Sequence, residues 1–156
     1  MSLPVEGKPA PAFSLLDQNA KQVTLKECKG SNVILYFYPK AMTPGCTVQA
    51  CGMRDSASAL KELDSVVLAV SPDKVEKLQK FAERDHLNFT LLADTDHAVA
   101  EAYGSWGLKK FMGREYMGVL RNTFIIDKKG VLRKIMPNVK TKTHHEDVLG
   151  WIRANL

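Results

Sequence analysis

Residues 33–38, Val-Ile-Leu-Tyr-Phe-Tyr, form an unbroken apolar run between Ser31-Asn32 and Pro39. A strand with one face in water alternates apolar and polar side chains, whereas a strand apolar on both faces is covered on both. This run therefore predicts a central strand packed between helices, and it constrains the fold more than any other segment. Residues 66–70, Val-Val-Leu-Ala-Val, predict a second buried strand, ended by Ser71-Pro72-Asp73. Between the two, residues 47–63 predict a helix with Val48, Cys51, Leu60 and Leu63 inward. A further helix over 74–84 places Val75, Leu78 and Phe81 on one stripe, with Ser71 or Asp73 as its cap.

The remaining pattern extends the same architecture. Residues 13–17 and 21–25 alternate around Asp17-Gln18-Asn19 and predict an N-terminal hairpin. Residues 90–93 predict a short strand, and 97–103 a short helix stopped by Gly104. Residues 107–118, punctuated by glycine, are expected to be loop. Residues 122–126 and 131–136 flank the turn 127–130 as a hairpin, and a helix over 144–154 closes the chain with Val148, Leu149 and Ile152 inward. Strands alternating with helices, then a hairpin and a helix, predict an α/β three-layer sandwich: a mixed central sheet flanked by helices. The order resembles the thioredoxin fold with an N-terminal hairpin extension. The expectation is one domain over residues 1–156, long enough to bury about 68–70% of its unfolded surface without a disulfide framework.

Charge excludes less than its sum suggests. The net charge is +5, but lysines and arginines are mixed with acids, as in residues 74–85, and the one dense run, residues 139–145, is short. This is a solvated surface rather than a nucleic-acid patch. No apolar stretch approaches the ~18 residues of a membrane span, and the N-terminus lacks a signal-peptide pattern, so a cytoplasmic protein is expected. Three cysteines, an odd number, do not suit a disulfide scaffold.

The chemistry concentrates in residues 39–51, Pro-Lys-Ala-Met-Thr-Pro-Gly-Cys-Thr-Val-Gln-Ala-Cys. Pro39, Pro44 and Gly45 end the strand, and the residues beyond them open a helix. A cysteine in a first turn faces unpaired N–H groups and the positive end of the helix dipole, which favour the reactive thiolate. Buried packing is the bland alternative for Cys46, yet the tight Thr-Pro-Gly turn before it is more than packing requires. A zinc site is a second alternative, with His144 and His145 completing a set of four ligands; adjacent histidines do not readily turn both rings to one metal. If Cys46 and Cys51 share a helix, their Cα atoms lie about 8–9 Å apart, beyond the ~7 Å limit for a disulfide. Either they never bond, or oxidation first unwinds the helix. A plain dithiol oxidoreductase would use C-x-x-C instead.

Pro39-x-x-x-Thr43-x-x-Cys46 resembles the active-site signature of the peroxiredoxins. With Cys51 five positions on, the segment is similar to the peroxiredoxin Q or bacterioferritin comigratory protein subfamily. Arg121 in Arg-Asn-Thr-Phe-Ile-Ile-Asp and the Gly7-Lys-Pro-Ala-Pro-Ala-Phe13 pattern extend the likeness across nearly the whole chain. The resemblance implies a peroxidase in which Cys46 attacks a hydroperoxide and becomes a sulfenic acid. It implies that Thr43 contacts the peroxide oxygens, that Arg121 stabilises the thiolate and the leaving oxygen, and that Pro39 excludes water. Backbone N–H groups at Gly45 and Cys46 would add to this stabilisation. Cys51 would resolve the sulfenic acid as an intramolecular disulfide, reduced in turn by thioredoxin or glutaredoxin.

No metal, haem or other cofactor is implied, and a monomer is expected. Gln49 departs from the glutamate of many relatives and removes a charge beside the site. Cys28 matches nothing in the signature and is expected to be a bystander. Trp106, Phe111 and Met112 are read as ordinary packing or an access wall. A cysteine–histidine metal module, a general disulfide reductase and a nucleic-acid binder are the competing functions.

Overall fold

In the computed structural model, which describes residues 2–156, β3 (Asn32–Phe37) lies inside a seven-stranded sheet and every residue of it is buried. Its neighbours are β4 (Ser65–Ser71), parallel to it, and β8 (Thr123–Ile126), antiparallel to it. β5 (Thr90–Ala93) runs parallel to β4. One edge is built by β1 (Ser14–Asp17) and β2 (Gln22–Thr24), and the other by β9 (Leu132–Met136). The order is β2-β1-β5-β4-β3-β8-β9, a mixed sheet. The N-terminal hairpin is thus not an appendage, because β1 pairs with β5 and extends the sheet. Asp17 closes its turn by accepting the backbone N–H groups of Asn19 and Lys21.

The period of two along β3 divides the core into two layers. Ile34, Tyr36 and Tyr38 face α1 (Pro44–Asp55), α2 (Ala57–Glu62), α3 (Val75–Asp85) and α5 (His144–Asn155). Val33, Leu35 and Phe37 face Phe13, Leu25 and α4 (Ala98–Ala102), with Tyr103 at its end. Each large apolar side chain buried in these layers contributes about 1.5–3 kcal/mol. Among the described residues, no helix is long and apolar enough to cross a membrane.

Four local expectations are corrected. The helix expected over 47–63 is two helices, broken at Ser56, whose hydroxyl donates to the Gly52 carbonyl four residues back. The first begins at Pro44. Cys46, Gln49, Ala50 and Met53 face inward, while Val48 is 46% exposed and Cys51 and Leu63 are half-buried. Residues 107–118 are not loop: β6 (Trp106–Phe111) and β7 (Arg114–Val119) form a separate two-stranded hairpin. Its turn residues Met112 and Gly113 both take positive φ, as a two-residue hairpin turn requires. Finally, neither Ser71 nor Asp73 caps α3. Ser71 donates to the Asp73 carboxylate, whose Oδ2 also accepts the Ala41 N–H at 2.7 Å and so pins the loop ahead of α1.

Candidate active site

The site forms where β3 ends and α1 begins. Pro39 is half-buried just beyond the strand, and Met42 takes a left-handed φ of 66° that turns the chain into the helix. Thr43 is the N-cap in extended conformation, and Pro44 occupies the first turn, where its missing N–H costs nothing. The Thr43 hydroxyl donates to the Lys40 carbonyl at 2.8 Å, which leaves its oxygen lone pairs to accept a proton donor. The Thr43 carbonyl accepts both the N–H and the hydroxyl of Thr47. Cys46 then sits in the first turn, 2% exposed, with the unpaired N–H groups of that turn around it.

Arg121 enters from the segment ahead of β8, 75 residues away in sequence. Its Nη2 donates to Cys46 Sγ at 3.2 Å, while Nη1 donates to Gln49 Oε1 at 3.0 Å. The guanidinium passes so close over Gly45 that a Cβ there would lie 3.3 Å from Nη2. A side chain at position 45 would push the guanidinium back by a few tenths of an ångström. Behind Gln49 the polar chain continues: its Nε2 lies 3.2 Å from His144 Nδ1, and His144 Nε2 lies 2.8 Å from Thr123 Oγ1. Burial, with Arg121 and His145 nearby, holds the His144 imidazole down at a pKa of about 4, against a weaker pull upward from Asp147. The buried Tyr36 ring meets His144 edge to face at 5.1 Å, and desolvation raises its phenol well above the usual range.

A chain of 130 matched residues, 6–135, fits the model of the AhpC/TSA family. The Escherichia coli protein named peroxiredoxin Bcp is 52% identical over 149 residues, covering 96% of each chain. The chain belongs to the peroxiredoxins. This is a family of thiol-based peroxidases, and within it the relatives are those of the peroxiredoxin Q and bacterioferritin comigratory protein group. The Bacillus subtilis peroxiredoxin Bcp is 49% identical, with 94% of each chain covered. Among solved structures, Mycobacterium tuberculosis peroxidoxin BcpB matches with a TM-score of 0.85 at 33% identity, covering 97% of both chains. A Xanthomonas campestris bacterioferritin comigratory protein, described for its alkyl peroxide reduction activity, matches with a TM-score of 0.86 at 27% identity, covering 91% of this chain and 90% of that one.

In this peroxiredoxin, Cys51 lies on α1 with Cys46, and all three cysteines are free. Cys28 is remote, half-buried on the other side of the sheet, and burial raises its thiol pKa. A shallow recess of 260 Å³ beside Arg121 is lined by Lys109, Leu120, Asn138 and Val139. Lys109 donates to the Val119 carbonyl, and its pKa is lowered by desolvation and by the charge of Arg121. Trp106 stacks on His97 at 3.8 Å, whereas Phe111 and Met112 are exposed at the hairpin tip. Two larger grooves open at the other end of β3, around Asn32 and Ser65.

Sequence reasoning missed His144 and Thr123 as members of this network. His144 entered as the start of the last helix, which it is, and as a disfavoured metal ligand; both of its ring nitrogens are taken by protein partners. His145 lies instead against Gly52, where a Cβ would sit 2.5 Å from its Nδ1. The signal that could have found His144 is a polar residue, Gln49, on the buried face of α1, which requires a polar partner.

Proposed function

We propose that this peroxiredoxin reduces hydrogen peroxide and organic hydroperoxides through Cys46, resolves the product through Cys51, and is returned to the dithiol by thioredoxin. The observation that carries the reading is the Arg121 guanidinium on Cys46 Sγ in the first turn of α1. The sulfur attacks one peroxide oxygen. An S–O bond forms, the O–O bond breaks, and the other oxygen leaves as water or an alcohol after taking a proton. Arg121 offers donors both to the sulfur and to the charge developing on the leaving oxygen. The Thr43 hydroxyl oxygen accepts a hydrogen bond from the hydroperoxide O–H, and Pro39 shields the site from water. Cys51 then attacks the sulfenic sulfur; an S–S bond forms and water leaves. Because both cysteines ride one helix, α1 unwinds before that bond closes. The chemistry needs no metal or haem, and we assign it to a single cytoplasmic domain acting as a monomer.

Intact mass after one equivalent of peroxide tests the scheme. Wild type should lose two hydrogens, Cys51→Ser should gain one oxygen, and Cys46→Ser should be unchanged and consume no peroxide. Peroxide turnover by Cys46→Ser would overturn the mechanism. Reduced thioredoxin should restore the wild-type dithiol; restoration by a glutaredoxin alone would reassign the reductant.

A further inference from the structure

We propose that Gln49 and His144 are positioning residues for the Cys46–Arg121 pair, acting through a one-way chain of hydrogen bonds that fixes His144 as the neutral Nε2–H tautomer. The inference rests on the reading of Cys46 as the reacting thiol.

The direction of the chain follows from donor counting. A guanidinium only donates, so the Gln49 atom facing Arg121 Nη1 at 3.0 Å must be the amide oxygen. The amide nitrogen then faces His144 and donates, at 3.2 Å, to Nδ1. Nδ1 must therefore carry no proton, and in the neutral ring the proton sits on Nε2, which donates to Thr123 Oγ1 at 2.8 Å. An imidazolium would set an N–H against the Gln49 amide donor, with the Arg121 charge just beyond. Gln49 and His144 are both fully buried, so no water competes for these bonds.

Burial, Arg121 and His145 favour the neutral ring and Tyr36 from β3 presents only a ring edge to it, while Asp147 on the same helix pulls the other way. The four linked elements are α1, the segment ahead of β8, β8 itself and α5. The chain thus orients Arg121 from behind, at the nitrogen that does not touch sulfur, and ties that orientation to the start of α5.

The same count couples the residue at 49 to the state of the ring. A carboxylate at 49 would accept from Arg121 and would need a donor from His144, which moves a proton onto Nδ1. The two residues therefore form a matched pair, in which the amide keeps the ring neutral and the ring keeps the amide oxygen on Arg121.

Nitrogen-15 NMR of the reduced wild-type protein should show His144 as the Nε2–H tautomer, without an Nδ1 proton, from pH 5.5 to 8. In Gln49→Glu an Nδ1 proton should appear, as the other tautomer or as imidazolium. Stopped-flow oxidation by hydrogen peroxide should be roughly tenfold slower in His144→Phe, which removes the acceptor, and should recover in His144→Asn, whose Oδ1 replaces Nδ1. An Nδ1 proton in wild type would overturn the proposal, whatever the activity measurements give. So would a His144→Phe rate equal to wild type. If instead Cys46→Ser still consumed peroxide while the wild-type tautomer held, the catalytic reading alone would fail.

Discussion

Arg121 shows how much of the site depends on one side chain's shape. Its two terminal nitrogens point to different partners, one to Cys46 Sγ and one to Gln49 Oε1, and the flat group fits over Gly45. A lysine carries the same charge but presents one compact ammonium, which cannot hold both partners in that plane. Arg121→Lys should therefore slow Cys46 oxidation by about 10–100-fold, the worth of a charge-assisted hydrogen bond, while the melting temperature changes little. Stopped-flow kinetics with hydrogen peroxide and a thermal melt test this together. Equal rates in the two proteins would remove the fork from the mechanism. The motif residues lie together: Cys46 touches Arg121, and Thr43 stands at the N-cap position of the same helix. His144 was not legible in this way. Its partner stands 95 residues earlier, and the signal, a polar Gln49 on a buried face, needs the facing of α1 to be known first.

At the scale of the element, α1 is a helix held in place by its neighbours. Gln49 joins it to His144 of α5, Arg84 of α3 donates to Thr47, and Arg54 donates to the Asp85 carbonyl. If the opening of α1 proposed above frees His144 from Gln49, opening should depend on pH. Folded His144 titrates at about 4 against an ordinary value of 6.5. Well above pH 6.5 the ring is neutral in both forms, so the folded helix keeps its full stability. As pH falls from 6.5 toward 4, only the open form takes up the proton, and opening gains up to about tenfold per pH unit. Below that range the effect saturates. Hydrogen exchange of residues 47–54 in the reduced protein, corrected for intrinsic rates, should quicken from pH 6.5 to 5 relative to α3. Constant protection would show that His144 stays buried on opening. Peroxide treatment should expose the same residues. The phase of α1 escaped the sequence because Val48 looks like the core residue and Gln49 like the surface one; the buried partners Arg121 and His144 turn Gln49 inward and leave Val48 exposed.

For the whole molecule, one sheet serves two separate cores, and only one of them carries the site. Phe124 is fully buried in the other, edge-on to Phe37 and Tyr103. Phe124→Ala should cost about 3–5 kcal/mol in chemical denaturation, yet leave Cys46 oxidation in the folded protein near the wild-type rate. A rate that fell with the stability would mean that the two layers are coupled through the sheet. The sequence by itself determined the layers, because a run such as residues 33–38, apolar on both faces, has no stable place except between two cores. It also determined the spacing of the motif at the head of α1, since proline, glycine and helix geometry act within a few residues. Tertiary structure alone decided the β6–β7 hairpin, whose mostly exposed residues carry no burial pattern. It alone decided which polar groups lie behind Arg121. Local propensity acts over a turn or two of chain, whereas a buried hydrogen bond needs two atoms within about 3 Å, and only the packed sheet brings α1, β8 and α5 to that distance.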